Sequence, residues 1–284
     1  MSEKLNVEEL QLESWIEERD WIYNYYDAAI EDEFRVELLR DTADSIYLEP
    51  YVMYTNEYMH DLADELDNCT DDDPCKSAAC KRCVRWFQIE SYRAILQAMV
   101  RELETEPDTR FCAMHLVQYS RAVDAYGFVD YDIKADKNRL GKLLSSSKVA
   151  GPVLGAFEMD FHKTPQKWLS HYHLFARLSG NEQAMASLAG KVGKLHPEHI
   201  KTNVRARPFL VQEIQDPRKQ ISYLYKLGFN EVRDYKTPAQ KRRTKKYRLE
   251  ERLFCNYLCW MHEMGRKKFL VRRKASDWLR CSKF

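Results

Sequence analysis

The run WLSHYHLFAR, Trp168 to Arg177, limits what this chain can fold into more than any other stretch. It is apolar and aromatic, too short for a long helix, and it carries two histidines two residues apart. On a strand, alternate side chains point to one face, so His171 and His173 project together while Tyr172 points away. Imidazoles placed in this way can bind one divalent ion, and the intervening hydrophobes bury the opposite face against a core. An isolated pair of this kind more often reads as two partly exposed strand histidines, so its meaning depends on its neighbours.

Upstream, GAFEMDF (Gly155 to Phe161) also reads as a strand, with Phe157, Met159 and Phe161 on one face and Glu158 and Asp160 on the other. If the two strands pair through the KTPQK turn, Glu158 sits across from the histidines. Two imidazoles and one carboxylate then leave coordination positions open, as a catalytic metal requires. Downstream, DPRKQISYLYKLGF has the marks of a helix, with Asp216 as N-cap, Pro217 at the first helical position and Gly228 near the end. At about 100° per residue, Ile221, Leu224 and Tyr225 form its core stripe, while Tyr223 and Lys226 share another face. Tyr223 is thereby left free for chemistry.

This set, a Glu strand, a His-hydrophobic-His strand and a Tyr-x-x-Lys helix, resembles the HUH endonucleases, in particular the rolling-circle replication initiator (Rep) proteins of plasmid or phage type. In that branch the tyrosine follows the histidine motif, as it does here, whereas in conjugative relaxases it usually precedes it. The resemblance covers about Arg110 to Gly228. It implies that His171 and His173 are metal ligands, Glu158 the acidic ligand, Tyr223 the nucleophile and Lys226 its companion lysine. One departure is evident: the family's first motif is a threonine-rich strand, and the candidate RFCAMHLVQY (Arg110 to Tyr119) lacks that run.

The expected fold is α+β, a mainly antiparallel sheet with flanking helices, preceded by an acidic helical segment. The 284 residues suffice for a sizeable core, and no apolar run approaches the roughly 18 residues of a membrane span. The first residues are acidic and polar where a secretory signal is basic and then apolar, so the expectation is a cytoplasmic protein with reduced thiols and no membrane partner. A net charge of +1 conceals strong polarity. Met1 to Ala78 holds 23 acids against 5 bases, and the remainder 21 against 40. A basic body of that kind is the electrostatic footprint of a polyanion binder. No Walker or dinucleotide loop occurs, which argues against an ATPase or helicase half.

In chain order, residues 1–68 read as acidic helices that dock on the basic body as an intramolecular DNA mimic, bind a partner protein or simply form a solvated acidic surface. Residues 69–83 form a cysteine cluster, in which Cys69, Cys75, Cys80 and Cys83 suit a structural zinc ion better than disulfides in a reducing compartment, the first pair being more widely spaced than in usual zinc sites; the alternative is a loop of unliganded thiols. Cys112, Cys255, Cys259 and Cys281 read as core or surface residues. A connecting helix over 84–109 leads to an endonuclease-like domain over 110–235, with strands at Phe111 to Val117 and Ala206 to Ile214 and helices around Lys134 to Leu144 and Asn181 to Leu195. A basic helical tail over 236–284 closes the chain, in which Trp278 and Phe269 are candidates to stack on unpaired bases. His196 and His199 read as structural, and His115, His162 and His262 have less claim still to a site.

The activity implied by the resemblance is nicking and rejoining of single-stranded origin DNA. Tyr223 attacks the phosphorus, Mg²⁺ or Mn²⁺ held by Glu158, His171 and His173 polarises an oxygen, and the product is a 5′-phosphotyrosine with a free 3′-OH. Host helicase and polymerase are the partners such a role implies. Two rival readings are a single-strand DNA transposase of the same chemistry and a non-catalytic, zinc-containing DNA-binding regulator.

Overall fold

A computed structural model describes residues 5–15, 25–45, 53–196, 208–239 and 242–279 of the chain. Three helices come first: α1 (Val7–Trp15), α2 (Tyr25–Ser45) and α3 (Asn56–Asp67). The long α4 (Lys81–Thr105) follows, then β1 (Phe111–Val117), β2 (Val123–Asp124) and α5 (Ile133–Ser146). The central hairpin is β3 (Val153–His162) and β4 (Lys167–Arg177). After it come α6 (Glu182–Leu195), β5 (Phe209–Glu213) and α7 (Pro217–Ser222). The chain ends in β6 (Glu231–Lys236), β7 (Arg242–Tyr247), α8 (Glu251–Met264), α9 (Arg266–Phe269) and β8 (Leu270–Arg273).

These elements make an α+β protein. The sheet runs β5-β1-β4-β3-β6-β7, with β2 added at β4 and β8 at β3. It is mixed rather than mainly antiparallel, because β6 joins β3 in parallel, Phe161 and His162 facing Glu231 and Val232. The cause is the connection: α7 and the turn after it carry the chain back across one face, so β6 enters in the same direction as β3. The C-terminal segment, expected to be helical, carries α8 and strands as well. It supplies β7, which pairs with β6, and β8, which pairs antiparallel with β3 from Val153 to Ala156.

The core lies on the face of the β3–β4 hairpin away from the histidines. Trp168, with its indole nitrogen donating to Ala125 O at 2.7 Å, stacks on Tyr257 of α8 at 4.4 Å between centroids. Phe157 meets Tyr172 and Tyr131. Below them Asp136 of α5 accepts at Oδ2 from Gln118, Tyr131 and Tyr172 at 2.9–3.0 Å, and its Oδ1 lies 3.8 Å from Arg121 Nε. Phe269 belongs to this core and Trp278 packs on Phe111 and Phe175, so neither of them is a free platform for bases.

The described parts of the acidic helices pack through apolar contacts. Phe34 of α2 meets Phe254 of α8 edge-on, and Leu39, Met59, Leu62 and Leu66 are buried. Their charges turn outward or pair locally, as when Arg40 bridges Asp64 and Asp67, while Glu31 reaches Arg248 at 2.7 Å. Tyr23, Tyr47, Tyr51, His199 and Cys281 fall outside the described residues. No helix among the described residues is long and apolar enough to cross a membrane.

Candidate functional site

The pairing register gathers the site on one sheet face. Glu158 lies opposite His171 across the β3–β4 hairpin, and His115 of β1 lies opposite His173. Because cross-strand partners share a face, His115, Glu158, His171 and His173 all project to the same side. The His115 and His173 rings stack at 4.7 Å between centroids, and His171 meets each of them edge-on at 5.3 and 5.0 Å. One nitrogen from each of the three imidazoles lies within 4.8 Å of the others, so His115, His171 and His173 could together hold a metal ion.

Sequence reasoning missed His115. The signal was a lone histidine in a strand that the neighbouring motif needs as a partner, and only the register turns that into a third imidazole. The expected acidic ligand, Glu158, lies on the same face, against two of the imidazoles. Its Oε2 lies 3.4 Å from Nε2 of both His171 and His173 and 3.3 Å from Lys226 Nζ, and its Oε1 accepts from Gly228 N at 3.3 Å. Burial alone would raise its pKa, but the Lys226 ammonium overcomes this and holds the carboxyl well below its usual range. Glu158 is therefore a fixed negative charge facing the Nε2 atoms of His171 and His173.

Two observations show that the donor set suits a cation. His173 Nε2 is buried and makes no well-formed hydrogen bond, facing the Glu158 carboxylate at 3.4 Å. His171 Nδ1 stands 3.4 Å from Leu169 O, an arrangement that turns Nε2, the other ring nitrogen, towards the site. Burial and the neighbouring imidazoles hold His115 down to about 3, and burial lowers His173 as well, so both rings stay neutral with a lone pair to offer.

The tyrosine approaches from the next element. Asp216 accepts from Lys219 N and caps α7, with Pro217 at its first position, as the sequence suggests. The helix is shorter than expected: it gives way to a 3-10 turn at Tyr223–Tyr225, and buried Leu227 then takes a φ of +42°. A non-glycine residue in that region costs about 1–3 kcal/mol, a strain that clusters at functional turns. Here it returns the chain so that Gly228 N reaches Glu158. Ile221, Leu224 and Tyr225 are buried, whereas Tyr223 is 44% exposed. The Tyr223 ring meets His173 edge-on at 4.8 Å, with Lys226 Nζ 2.5 Å from its hydroxyl and 3.8 Å from its ring centroid.

The β6–β7 ribbon forms one wall. Its inward face carries Val232, Thr244 and Lys246, which line the same cleft as the histidines and Tyr223. Lys246 pairs with Asp160 at 2.7 Å. The outward face alternates Arg233, Tyr235, Arg243, Lys245 and Tyr247, all exposed, with Arg233 and Lys245 over the Tyr247 ring at 4.6 and 5.3 Å. Cations interleaved with tyrosines offer both phosphate and base contacts.

A second metal-capable group stands apart. Cys69, Cys75, Cys80 and Cys83 bring their sulfurs within 4.8 Å of one another at the junction of α3 and α4, so they too could hold an ion. Cys112, Cys255 and Cys259 are buried away from that group. His196 is buried at the end of α6, and His262 bonds Ser77. No protein-family model, no curated protein and no solved structure matches the chain.

Proposed function

We propose that this protein cleaves and rejoins single-stranded DNA through a covalent bond to Tyr223, as a rolling-circle initiator of the HUH type. The observation that carries this reading is the meeting of Tyr223 and Lys226 with the histidine face, at 4.8 Å between the Tyr223 and His173 rings. A partly exposed tyrosine, a half-buried cation and neutral imidazoles are the parts that phosphodiester cleavage without ATP needs. An HUH-like sheet, with the paired histidines on its central strand and the tyrosine on a following helix, is the finer form of the fold that this reading takes.

In that chemistry the Tyr223 oxygen forms a bond to phosphorus, the bond from phosphorus to the 3′ oxygen breaks, and the departing oxygen takes up a proton as a 3′-OH. The phosphotyrosine keeps the bond energy, so the hydroxyl can reverse the step. Lys226, a cation whose pKa Glu158 and Tyr223 raise against the effect of burial, stabilises negative charge on the phenolic oxygen as its proton leaves. His115, His171 and His173 would hold Mg²⁺ or Mn²⁺, which supplies Lewis-acid polarisation of the phosphate. Glu158 fixes Lys226 and lies against Nε2 of His171 and His173. The basic ribbon leads the strand past the cleft. Of the two metal-capable groups, only the histidines enter this chemistry.

The test is incubation of the full chain with single-stranded oligonucleotides and Mn²⁺, followed by denaturing electrophoresis. A covalent adduct that Tyr223→Phe removes is the expected result. Full retention of DNA binding with no adduct for any substrate would instead favour a non-catalytic DNA-binding protein.

A further inference from the structure

We infer that Cys69, Cys75, Cys80 and Cys83 hold one zinc ion, and that this ion fastens the end of α3 to the start of α4. The proposal does not depend on strand cleavage. It rests first on distance: Cys69–Cys83, Cys80–Cys69 and Cys75–Cys83 are 3.6, 3.6 and 3.7 Å apart between sulfurs. A tetrahedron with zinc–sulfur bonds of about 2.3 Å has edges of about 3.8 Å. A disulfide would need a sulfur–sulfur bond of about 2.05 Å, and none of these pairs approaches it.

Packed neutral thiols also touch at such distances, and the backbone decides between the two. Three amides aim at three of the sulfurs: Cys75 N at Cys69 Sγ (3.5 Å), Lys76 N at Cys83 Sγ (3.2 Å) and Cys83 N at Cys80 Sγ (3.4 Å). Lys76 takes a φ of +60° in the turn that delivers its amide. Amides donated to sulfur stabilise thiolates, the form that binds metal. The Cys80 thiol points its proton at Asp32 Oδ2, 3.4 Å away, and an arriving ion displaces that proton along with those of the other thiols. Asp32 remains balanced by Arg82 Nε at 3.3 Å and the amides of Lys81 and Arg82.

The placement gives the ion a structural task. Cys80 is the N-cap of α4 and Cys83 lies in its first turn. Arg82 ties this turn back to Leu66 O at 2.9 Å, and Arg266 donates to Cys83 O at 3.2 Å from the start of α9. Further along α4, Gln88 donates to Ser222 O at 2.6 Å and Phe87 packs on Tyr225. The fastened helix is thus the bed on which the Tyr223 turn rests.

The experiment is elemental analysis of the full chain, purified under reducing conditions, followed by exchange with Co²⁺. About one equivalent of zinc per chain is expected to survive dialysis. Cobalt in its place gives the intense near-ultraviolet band of thiolate-to-cobalt charge transfer. Cys75→Ser and Cys83→Ser take the zinc towards zero, whereas Cys281→Ser leaves it unchanged. Zinc-free protein with no cobalt–thiolate band overturns the proposal. So does zinc that survives both cysteine variants but leaves with His171→Ala and His173→Ala. Neither readout uses DNA, so failure of the cleavage reading leaves this result standing.

Discussion

Lys226 Nζ lies 2.5 Å from the Tyr223 hydroxyl, and the same ammonium is 3.3 Å from the buried Glu158 carboxylate. It therefore serves two groups at once, the proposed nucleophile and a charge that would otherwise be uncompensated under the histidines. Removing it strands Glu158. Lys226→Met is expected to destabilise the fold by about 3–5 kcal/mol, the cost of a buried charge left without its partner. Adding Glu158→Gln should recover most of that stability and none of the cleavage, which falls about 100-fold or more without the cation. Urea unfolding and adduct formation measured on both variants check this, and recovery of both together would make Lys226 a purely structural residue.

The stacked rings of His115 and His173 make a second prediction. If His115 is the third imidazole ligand, His115→Ala weakens Mn²⁺ binding by at least about tenfold. Calorimetric titration in the Tyr223→Phe background measures this apart from turnover. Unchanged affinity would return His115 to the role of a strand histidine.

Acid should weaken the metal-free protein. Burial and the neighbouring imidazoles hold His115 down to about 3, and His173 is lowered in the same direction. A histidine whose folded-state pKa lies below its unfolded value of about 6.5 takes up its proton more readily in the unfolded chain, so stability is lost as pH falls from about 6.5 towards 3. In the presence of a chelator, the urea midpoint of wild type should fall more between pH 7 and pH 4.5 than that of His115→Gln. Equal slopes would mean that another group governs the acid limb.

Gly155 is fixed by the same strand that it faces. Its φ is +149°, and a Cβ added there would collide with the carbonyl of His173. Gly155→Ala should cost about 3 kcal/mol and move the histidine strand with it. A lowered urea midpoint at constant m-value, together with weakened Mn²⁺ binding, is the expected pair of results. An unchanged midpoint would show that the two strands separate freely at this point.

The parts of the site that were legible in the sequence are those set by local spacing. The two-residue period put Glu158 with His171 and His173, and the helical period separated buried Tyr225 from exposed Tyr223. The four clustered cysteines likewise converge as their crowding suggested. What local pattern could not convey is pairing across distance. His115 joins the site because β1 happens to be the neighbour of β4, and β6 runs parallel to β3 because the tyrosine turn has already crossed the sheet. The run of lysine and arginine in β7 reads as a tail until its pairing with β6 makes a two-faced ribbon.

That ribbon supplies the last prediction. Arg243 and Lys245 stand on its outward face beside Tyr235 and Tyr247, on the opposite side from Lys246, which turns in towards Asp160. If a nucleic-acid strand lies along this face, each cation neutralises a phosphate and releases its condensed counterion, so log affinity against log salt loses about 0.7 in slope for every contact removed. Arg243→Ala with Lys245→Ala should then weaken single-strand binding and flatten the salt slope by up to about 1.4, because both contacts are lost. The substitutions replace exposed side chains far from the core, so the urea midpoint should hold within about 0.5 kcal/mol. Fluorescence anisotropy of a labelled oligonucleotide at several salt concentrations reads the slope directly. A reduced affinity with an unchanged slope would assign these residues to packing of the ribbon, and the strand would then have to run along the inward face alone, past Thr244 and Lys246.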